Sequence, residues 1–261
     1  MNYEKELNAA IKAAKDASKV ILDFYHNGFK VETKDDNSPV TSADKASDKL
    51  IKEELIKAFP NYAFLTEESY NKNDRSRLKN DYVWIIDPLD GTKDFVAHDD
   101  EFTINIALSY KHEVVLGVVL IPVKNEIFYA TKNSGAFLLK DGNQKKIHVS
   151  DKLNDLTCYT SVFHLSNEEK DLINKHKDKI SKVEKLGSSV KACYIAEGKG
   201  EISYRLTPGT KEWDTAAFQI IVEEAGGLVL KPNGEKITYN REEVRNLDGY
   251  VIMNRKENFL L

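Results

Sequence analysis

The spacing of apolar residues predicts two amphipathic helices at the start of the chain. Between residues 2 and 26, leucine, isoleucine, alanine and aromatic side chains recur three and four positions apart, the spacing of one buried helix face. Gly28 ends this pattern. A second helix, capped by a serine or threonine, is predicted to begin within residues 41–44 and to continue to the break at Pro60.

Apolar runs with strand-like composition follow and predict an antiparallel sheet. A short strand at residues 64–66 ends in two glutamates, and residues 82–86 have the β-branched and aromatic content of a strand buried on both faces. Residues 71–81 between them are charged and without a periodic pattern, and they predict a mobile surface loop. Further strands are predicted at residues 102–110, 114–121, 126–131 and 136–139. Because short turns join these runs, they predict one antiparallel sheet with the two helices on one face.

The second part of the chain has a different pattern, in which strands alternate with helices. Strands are predicted at residues 159–163, 182–183, 201–206, 228–230 and 250–253. Helices are predicted at residues 167–179, 188–197 and 214–225. This alternation indicates an α/β lobe with a layered sheet. We therefore expect an α+β lobe over residues 1–155 and an α/β lobe over residues 156–261.

Composition excludes several classes of protein. The 261 residues are 41% hydrophobic and 31% charged, and a net charge of -4 gives no general electrostatic reason to bind nucleic acid or an anionic membrane. Cys158 and Cys193 are too few for a disulfide framework or a zinc site, which favours a reducing cytoplasm. The sequence indicates no signal peptide, and no apolar run approaches the roughly 20 residues of a membrane span. We expect a cytoplasmic protein that neither is secreted nor inserts into a membrane.

One acidic turn stands out directly after the buried strand at residues 82–86. Its sequence is Asp87-Pro88-Leu89-Asp90-Gly91-Thr92, and Pro88 and Gly91 are expected to stop the strand. Two carboxylates three positions apart repel each other, and a hard divalent cation bound between them would relieve this repulsion. Gly91 and Thr92 offer backbone N–H groups and a hydroxyl at a predicted helix start, which suits a phosphate. The alternative is an ordinary turn with an aspartate at a helix cap.

Three further acidic residues, Asp44, Glu67 and Asp214, are also predicted at the ends of strands or the starts of helices. Asp44 and Asp214 can be plain helix caps, with Asp214 as the capping residue itself, and Glu67 can be a solvated loop residue. Together with the acidic turn, they supply enough oxygens for two hard cations about 4 Å apart. Sequence alone leaves open whether they converge. The histidines show no ligand spacing and predict surface or core roles: His26, His98, His112, His148, His164 and His176.

These motifs together resemble the inositol monophosphatase superfamily of lithium-sensitive, magnesium-dependent phosphatases. The resemblance covers essentially the whole chain and implies the layered αβαβα fold of that superfamily. In chain order, it rests on residues 38–44, Glu67-Glu68, the acidic turn, Gly187-Ser188-Ser189 and the Trp213-Asp214-Thr215-Ala216-Ala217 segment.

Within the superfamily, the chain looks most like the 3'(2'),5'-bisphosphate nucleotidases. The similarity lies in the acidic turn continued by Lys93-Asp94-Phe95 and in residues 187–198. Those enzymes remove the 3'-phosphate of 3'-phosphoadenosine 5'-phosphate (PAP) to give AMP, and inositol phosphatases more often have threonine where Lys93 stands. The alternatives are an inositol or other sugar monophosphatase and a non-catalytic homologue that binds phosphometabolites.

The resemblance also implies a Mg²⁺ site with two or three ions. Its metal ligands would be Glu67, Asp87, the carbonyl of Leu89, Asp90 and Asp214. Asp87 would be shared between two ions, so that one ion activates a water while the other stabilises the leaving oxygen. Thr92 would orient that water beside Glu67, and Asp44 would accept a proton or serve a third, weaker ion.

Substrate contacts are implied as well, for a small bisphosphate nucleotide bound by a monomer or weak homodimer. The implied contacts are Glu67, Leu89, Asp90, Gly91, Thr92, Gly187, Ser188, Ser189, Lys191 and Asp214. Lys191 would reach the 5'-phosphate, unless it lies on a solvated helix face. Lys34 matches a lysine that points toward the metals in relatives, and Arg205 and Lys211 are weaker partners for the anion.

Overall fold

The computed structural model describes residues 2–33 and 39–261. The α-helices are α1 (Glu4–Asn27), α2 (Ser42–Ala58), α3 (Thr92–Ala97), α4 (Asn167–Lys175), α5 (Val190–Ala196) and α6 (Glu212–Glu224). The strands are β1 (Val31–Thr33), β2 (Pro39–Thr41), β3 (Ala63–Thr66), β4 (Tyr82–Asp90), β5 (Thr103–Tyr110), β6 (Glu113–Ile121), β7 (Glu126–Thr131), β8 (Ala136–Lys140), β9 (Asn143–Ile147), β10 (Leu156–Ser161), β11 (Ile180–Leu186), β12 (Ile202–Arg205), β13 (Leu228–Leu230) and β14 (Tyr250–Met253). No helix within the described ranges is both long and apolar enough to cross a bilayer.

The predicted antiparallel sheet is confirmed and has seven strands, in the order β3-β4-β5-β6-β7-β8-β9. From β4 onward all neighbours are antiparallel, while β3 lies parallel to β4. The apolar pattern does not indicate β9, because this strand is mostly polar and exposed at the edge of the sheet. The turn between β8 and β9 holds Asp141 and Gly142 at positive φ, as a tight hairpin requires.

The second sheet has five strands in the order β11-β10-β12-β14-β13, with parallel and antiparallel neighbours. It confirms the alternating pattern, although some boundaries differ. Helix α4 ends at Lys175 rather than at residue 179, because the chain must turn back for Ile180 to pair with Leu156. That pairing also lengthens β11 beyond the two residues predicted.

Three buried clusters separate the layers of the fold. Helices α1 and α2 pack on one face of the seven-stranded sheet, through residues such as Ile21, Leu55 and Trp84. The opposite face packs against α5 and α6, and the same cluster reaches the five-stranded sheet. Helix α4 covers the far face of that second sheet. The order is therefore helices, sheet, helices, sheet, helix, which confirms the layered αβαβα expectation; the boundary at residue 155 stays a prediction.

The segment predicted as a mobile surface loop, residues 71–81, is anchored to the rest of the fold. It contains a 3-10 helix at Ser76–Lys79, and Arg77 within it is buried. The guanidinium of Arg77 donates to the side chain of Asn240 at 2.7 Å and to the carbonyl of Arg241 at 2.7 Å. Sequence pattern misses this anchor because the acceptors lie more than 160 residues away in the chain.

Gly117 of β6 provides a test of how α6 packs on the first sheet. A Cβ atom at Gly117 would lie 2.2 Å from the carbonyl oxygen of Ala217 and 2.7 Å from a methyl of Ile220. We expect Gly117→Ala to lower the free energy of unfolding by about 3 kcal/mol, because a helix backbone cannot rotate away. Gly142→Ala, in an open turn, should cost only about 1 kcal/mol of backbone strain. Urea denaturation would measure both, and an equal loss would contradict the close approach of α6.

Candidate metal and phosphate site

A bulge in β4 brings the first two carboxylates to the same side of the strand. Asp87 pairs with Asn105 and Asp90 pairs with Thr103, so β4 uses one residue more than β5 over this stretch. Residues three apart in a regular strand face opposite sides, and one extra residue corrects this. The expectation that Pro88 stops the strand was wrong. Proline is tolerated at a bulge, where its missing N–H breaks no ladder hydrogen bond.

Asp214 completes a group of three carboxylates. Three carboxylate oxygens, one from each of Asp87, Asp90 and Asp214, lie within 4.8 Å of one another. Asp214 is the third residue of α6, and its carboxylate accepts a hydrogen bond from the backbone N–H of Lys211 at 2.5 Å. The expectation that Asp214 is itself the capping residue was therefore wrong, because the helix already begins at Glu212. Its place in the first turn aims the side chain back along the helix toward β4.

Burial and mutual repulsion raise the pKa values of all three carboxyl groups. For Asp87 the largest cause is burial, followed by the charge of Glu67 and then those of Asp90 and Asp214. Burial also raises the pKa of Asp90, although a hydrogen bond from Ser189 opposes the rise. The pKa of Asp214 rises to about 8, again from burial first and the Asp90 charge second. An all-oxygen donor set with this much unbalanced negative charge fits a hard divalent cation such as Mg²⁺.

Glu67 and Leu89 line the same cleft as the three aspartates. Glu67 directly follows β3, and its backbone N–H donates to the carbonyl of Ile86 at 3.1 Å, which places Glu67 beside Asp87. The group within 4.8 Å consists of the aspartates alone, so Glu67 flanks it. The carbonyl oxygen of Leu89 lies 3.4 Å from the hydroxyl oxygen of Thr92. Glu67 is thus part of a cleft wall and not a freely solvated loop residue.

Asp44 acts as a helix-capping residue and contacts the site at the same time. One carboxylate oxygen accepts from the backbone N–H of Thr41 at 2.8 Å, in a capping box at the start of α2. The other accepts from the hydroxyl of Thr92 at 3.0 Å. Asp44 is only 1% exposed, and this burial raises its pKa. The plain-cap interpretation and the site interpretation are therefore compatible.

The loop at residues 187–189 reaches the carboxylates from the second sheet. Ser189 donates its hydroxyl hydrogen to Asp90 at 2.7 Å, and the N–H of Gly187 donates to Glu101 at 2.6 Å. Lys191 lines the cleft and donates to the backbone carbonyl of Ser188 at 2.6 Å. Lys191 therefore does not lie on a solvated helix face. Lys34 and the first residue of the 38–44 motif lie outside the described residues.

Gly91 separates the acidic turn from α3 and lies against the loop just described. Its φ of 88° is in the left-handed region, where glycine is favoured, and a Cβ atom there would lie 3.1 Å from the Cβ of Ser188. Thr92 is the first residue of α3, a helix of six residues. The predicted helix start is confirmed, and it faces the cleft beside Asp90.

Cations line the same cleft as the carboxylates. Lys93, Lys191, Arg205 and Lys211 all belong to its lining, and the cleft encloses about 260 Å³. Lys93 and Arg205 both contact His164 and form a cationic wall. The charges of Lys191 and Lys211 instead oppose the rise in the pKa values of Asp90 and Asp214. A cleft that contains both carboxylates and cations suits a ligand that bridges metal ions and carries a further negative charge.

The sequence interpretation missed His164, which lies in this cationic wall. Its Nε2 atom is 3.2 Å from the ammonium of Lys93, and its backbone carbonyl accepts from Arg205 at 2.7 Å. Burial first, then the charge of Lys93, lowers the pKa of His164 to about 4, so the ring is neutral at pH 7. The adjacent ring of Phe163 is 47% exposed at the cleft. The sequence did contain one indication of this role, because both residues follow β10, and ligands often bind at the carboxyl ends of strands.

The fold and the carboxylate group define a phosphatase class, and comparison with known sequences identifies it. A sequence model described as the inositol monophosphatase family matches residues 2–258. The chain belongs to this family, whose members depend on metal ions. The resemblance inferred from the motifs is confirmed.

Individual relatives within the family carry different names. The chain is 32% identical over 241 residues to the 3'(2'),5'-bisphosphate nucleotidase CysQ of Haemophilus influenzae, covering 92% of this chain and 89% of the relative. It is 35% identical over 238 residues to the Nus factor SuhB of Pasteurella multocida, covering 87% and 85%. The crystal structure of CysQ from Bacteroides thetaiotaomicron superposes with a TM-score of 0.82 at 33% identity, covering 96% and 98%.

Replacing one carboxylate of the cluster should have opposite effects on protein stability and on cation affinity. We expect Asp214→Asn to raise the free energy of unfolding of metal-free protein at pH 7 by about 1–3 kcal/mol, because it removes a buried, repelled acid. Folding raises the pKa of Asp214 to about 8, so the folded state binds the proton more tightly than the unfolded state does. The free energy of unfolding therefore falls as the pH rises from about 4 to 8.

The same variant should lose most of its affinity for Mg²⁺ in calorimetry, since one charged oxygen donor is gone. Asp16→Asn, at a partly exposed position of α1, serves as the control for removal of one charge. Unchanged Mg²⁺ affinity in Asp214→Asn would contradict the assignment of this cluster as a metal site.

Proposed function

We propose that this protein is a Mg²⁺-dependent phosphatase that hydrolyses the 3'-phosphate of PAP, giving AMP and phosphate. In a cytoplasmic setting this reaction would serve sulfate assimilation by removing its inhibitory by-product. The proposal draws support from the CysQ-like sequence and structure and from the form of the cleft. Because relatives with other names have similar identity, the choice of substrate depends on the cleft itself.

The observation that carries the proposal is the presence of carboxylates and cations in one cleft. Asp87, Asp90 and Asp214 line this cleft together with Lys93 and Arg205 of the cationic wall. A substrate with one phosphate would engage the metal ions and leave these cations without an anionic partner. A nucleotide with two separate phosphates would engage both, and two charge-assisted contacts favour it.

Buried donors without partners add to this argument. Ser188 Oγ, Arg205 Nε and Tyr204 Oη are buried, line the cleft, and have no hydrogen-bond partner within the described part of the chain. Buried polar atoms in native proteins are normally paired, so such a group is expected to meet a ligand. All three can donate hydrogen bonds to phosphate oxygens or to a ribose hydroxyl.

The residues present fit the metal ions of the family. Glu67, Asp87, the carbonyl of Leu89, Asp90 and Asp214 would hold the Mg²⁺ ions. When bound, the ions supply Lewis-acid activation of a water and neutralise charge on the phosphate.

Thr92 and Asp44 provide a route for a proton within the protein. The Thr92 hydroxyl donates to Asp44, so its lone pairs point away from Asp44 and can accept a hydrogen bond from the attacking water. Asp44 is anchored by Thr41 and cannot swing away. The pair thereby orients the water, and Thr92 can pass the proton on to Asp44 as the bond to phosphorus forms.

The loop of the second sheet would bind the rest of the substrate. Gly91 and Thr92 present backbone N–H groups to the transferred phosphate, and residues 187–189 flank it through the Ser189 bond to Asp90. Lys191 keeps this loop in place through backbone carbonyls and adds positive charge. His164 and Phe163 offer a neutral ring and an exposed ring where a nucleobase can stack.

A substrate panel tests the proposal directly. With Mg²⁺, we expect kcat/KM for PAP to exceed that for inositol 1-phosphate by about 10- to 100-fold, since one charged contact contributes about 1.5–3 kcal/mol. Phosphate release would be measured side by side, with Asp90→Asn as the inactive control, and Li⁺ should inhibit the wild type. Faster turnover of inositol 1-phosphate would favour an inositol or sugar monophosphatase. Equal, negligible release by wild type and Asp90→Asn would favour a non-catalytic binding homologue.

Arg205 allows the cationic wall to be tested separately. Arg205→Ala should lower kcat/KM for PAP by about 10- to 100-fold, mainly through KM, and should leave inositol 1-phosphate hydrolysis nearly unchanged. Arg205→Lys keeps the charge but loses the planar donor pair, so it should recover only part of the loss. Arg245→Ala, an exposed arginine paired with Glu243, is the matched control. Equal losses on both substrates would show that Arg205 does not discriminate between them.

A further inference from the structure

One face of α2 contacts three separate segments of the site. Asp44 accepts from Thr92 at 3.0 Å, and Ser47 donates its hydroxyl hydrogen to the carbonyl of Pro88, in the β4 bulge, at 3.0 Å. Asp48, one turn beyond Asp44, contacts the turn that follows β3. Positions 44, 47 and 48 are spaced by three and four residues, so they share one face of the helix. The first two contacts hold segments already described, and the third reaches Ser69, two residues after Glu67.

Glu67 differs from the other proposed ligands in how it is supported. Asp87 and Asp90 belong to β4 and Asp214 to α6, whereas Glu67 lies in a turn just beyond the end of β3. Its N-terminal side is fixed by the N–H bond to the carbonyl of Ile86. A ligand in a turn needs a second anchor on its C-terminal side to hold a set geometry.

Ser69 supplies this second anchor. Its hydroxyl oxygen lies 2.5 Å from the hydroxyl of Thr66, 2.8 Å from the ammonium of Lys52 and 3.3 Å from a carboxylate oxygen of Asp48. A hydroxyl has one donor hydrogen and two acceptor lone pairs. Ser69 can therefore donate to Asp48 while accepting from Thr66 and Lys52, which satisfies it completely. Thr66 and Ser69 bracket Glu67, so these bonds close the turn and tie it to α2.

The carboxylate of Asp48 is only partly satisfied by hydrogen bonds. The residue is 7% exposed, and its second carboxylate oxygen is buried without a hydrogen-bond partner among residues 2–33 and 39–261. A buried carboxylate oxygen that lacks a partner destabilises the fold. A buried carboxylate that destabilises the fold in this way fits a functional role, which here would be to hold the turn that contains Glu67.

We propose that Asp48, acting through Ser69, is a positioning residue that sets the orientation of Glu67 and thereby the affinity of the site for divalent cations. The inference rests on the proposed function in one respect, namely that Glu67 contributes to the metal site. Neither Asp48 nor Ser69 is among the residues that line the cleft, so each would act on Glu67 through the backbone of its turn.

The test measures cation binding as well as catalysis. Tb³⁺, which prefers oxygen ligands, would be titrated into metal-free protein, with luminescence sensitised by Trp213 in the cleft, and Mg²⁺ affinity would follow from competition. Ser69→Ala and Asp48→Ala should each weaken Mg²⁺ affinity by about 10-fold or more, as losses of outer-shell support do. The Mg²⁺ concentration for half-maximal phosphatase activity should rise by the same factor, while kcat at saturating Mg²⁺ changes little.

Matched variants separate positioning from a general structural effect. Ser69→Thr keeps the hydroxyl and should bind Mg²⁺ within about twofold of wild type, and Glu53→Gln on the exposed side of α2 controls for loss of a negative charge. In a Glu67→Gln background, Ser69→Ala should cause no further loss of affinity, because the two residues act as one unit.

The outcomes distinguish failure of this proposal from failure of the proposed function. Equal Mg²⁺ affinity in wild type and Ser69→Ala would overturn the positioning role, and so would an equally large loss in the Glu67→Gln background. A wild type that binds no divalent cation would overturn both proposals. A wild type that binds Mg²⁺ but does not hydrolyse PAP, with Ser69→Ala still weakened in binding, would support this inference and overturn only the choice of substrate.

Discussion

The site depends on one electrostatic constraint, the forced proximity of buried carboxylates. Asp87, Asp90 and Asp214 are held close enough to repel, in surroundings that penalise their charges. Folding alone does not favour this arrangement, because each group would be more stable as a charged carboxylate in water. The surrounding structure must hold them in place, and a hard cation relieves the repulsion. A cluster that destabilises the metal-free protein through repulsion between buried carboxylates is typical of a catalytic site rather than of structural support.

The means of holding the carboxylates explain much of the architecture. The bulge in β4 turns Asp87 and Asp90 to one side, and the first turn of α6 adds Asp214 from the layer between the two sheets. Helix α2 supports the site from the other side through Asp44, Ser47 and a link to the turn after β3. Because these parts belong to different layers, the site forms only when the layers are packed together. Close contacts such as that between Gly117 and α6 therefore bear on the function as well as on stability.

The cleft contains charges of both signs, and the cations are the main guide to the proposed substrate. Dependence on metal ions is common to a family whose members carry different names, so the carboxylates do not distinguish among substrates. The cationic wall, with Lys93, Arg205 and the neutral ring of His164, is where the proposed substrate would place its second phosphate and its base. A phosphatase of this kind can keep its chemistry constant while its second sheet determines which phosphate ester is accepted.

Local sequence determined the elements and the residue types of the site, because helix periodicity, strand composition and capping residues act over a few positions. The two N-terminal helices, the antiparallel sheet and the acidic turn were all predictable on that basis, and the resemblance of the motifs added the family. Tertiary structure decided the rest. Pro88 lies within a strand because a bulge accommodates it, and Asp214 is the third helical residue because α6 begins earlier than its motif suggests. His164 joins the cationic wall, and Asp48 reaches the turn of Glu67, only because distant segments pack there. Convergence of this kind depends on packing between layers, which a local pattern does not encode.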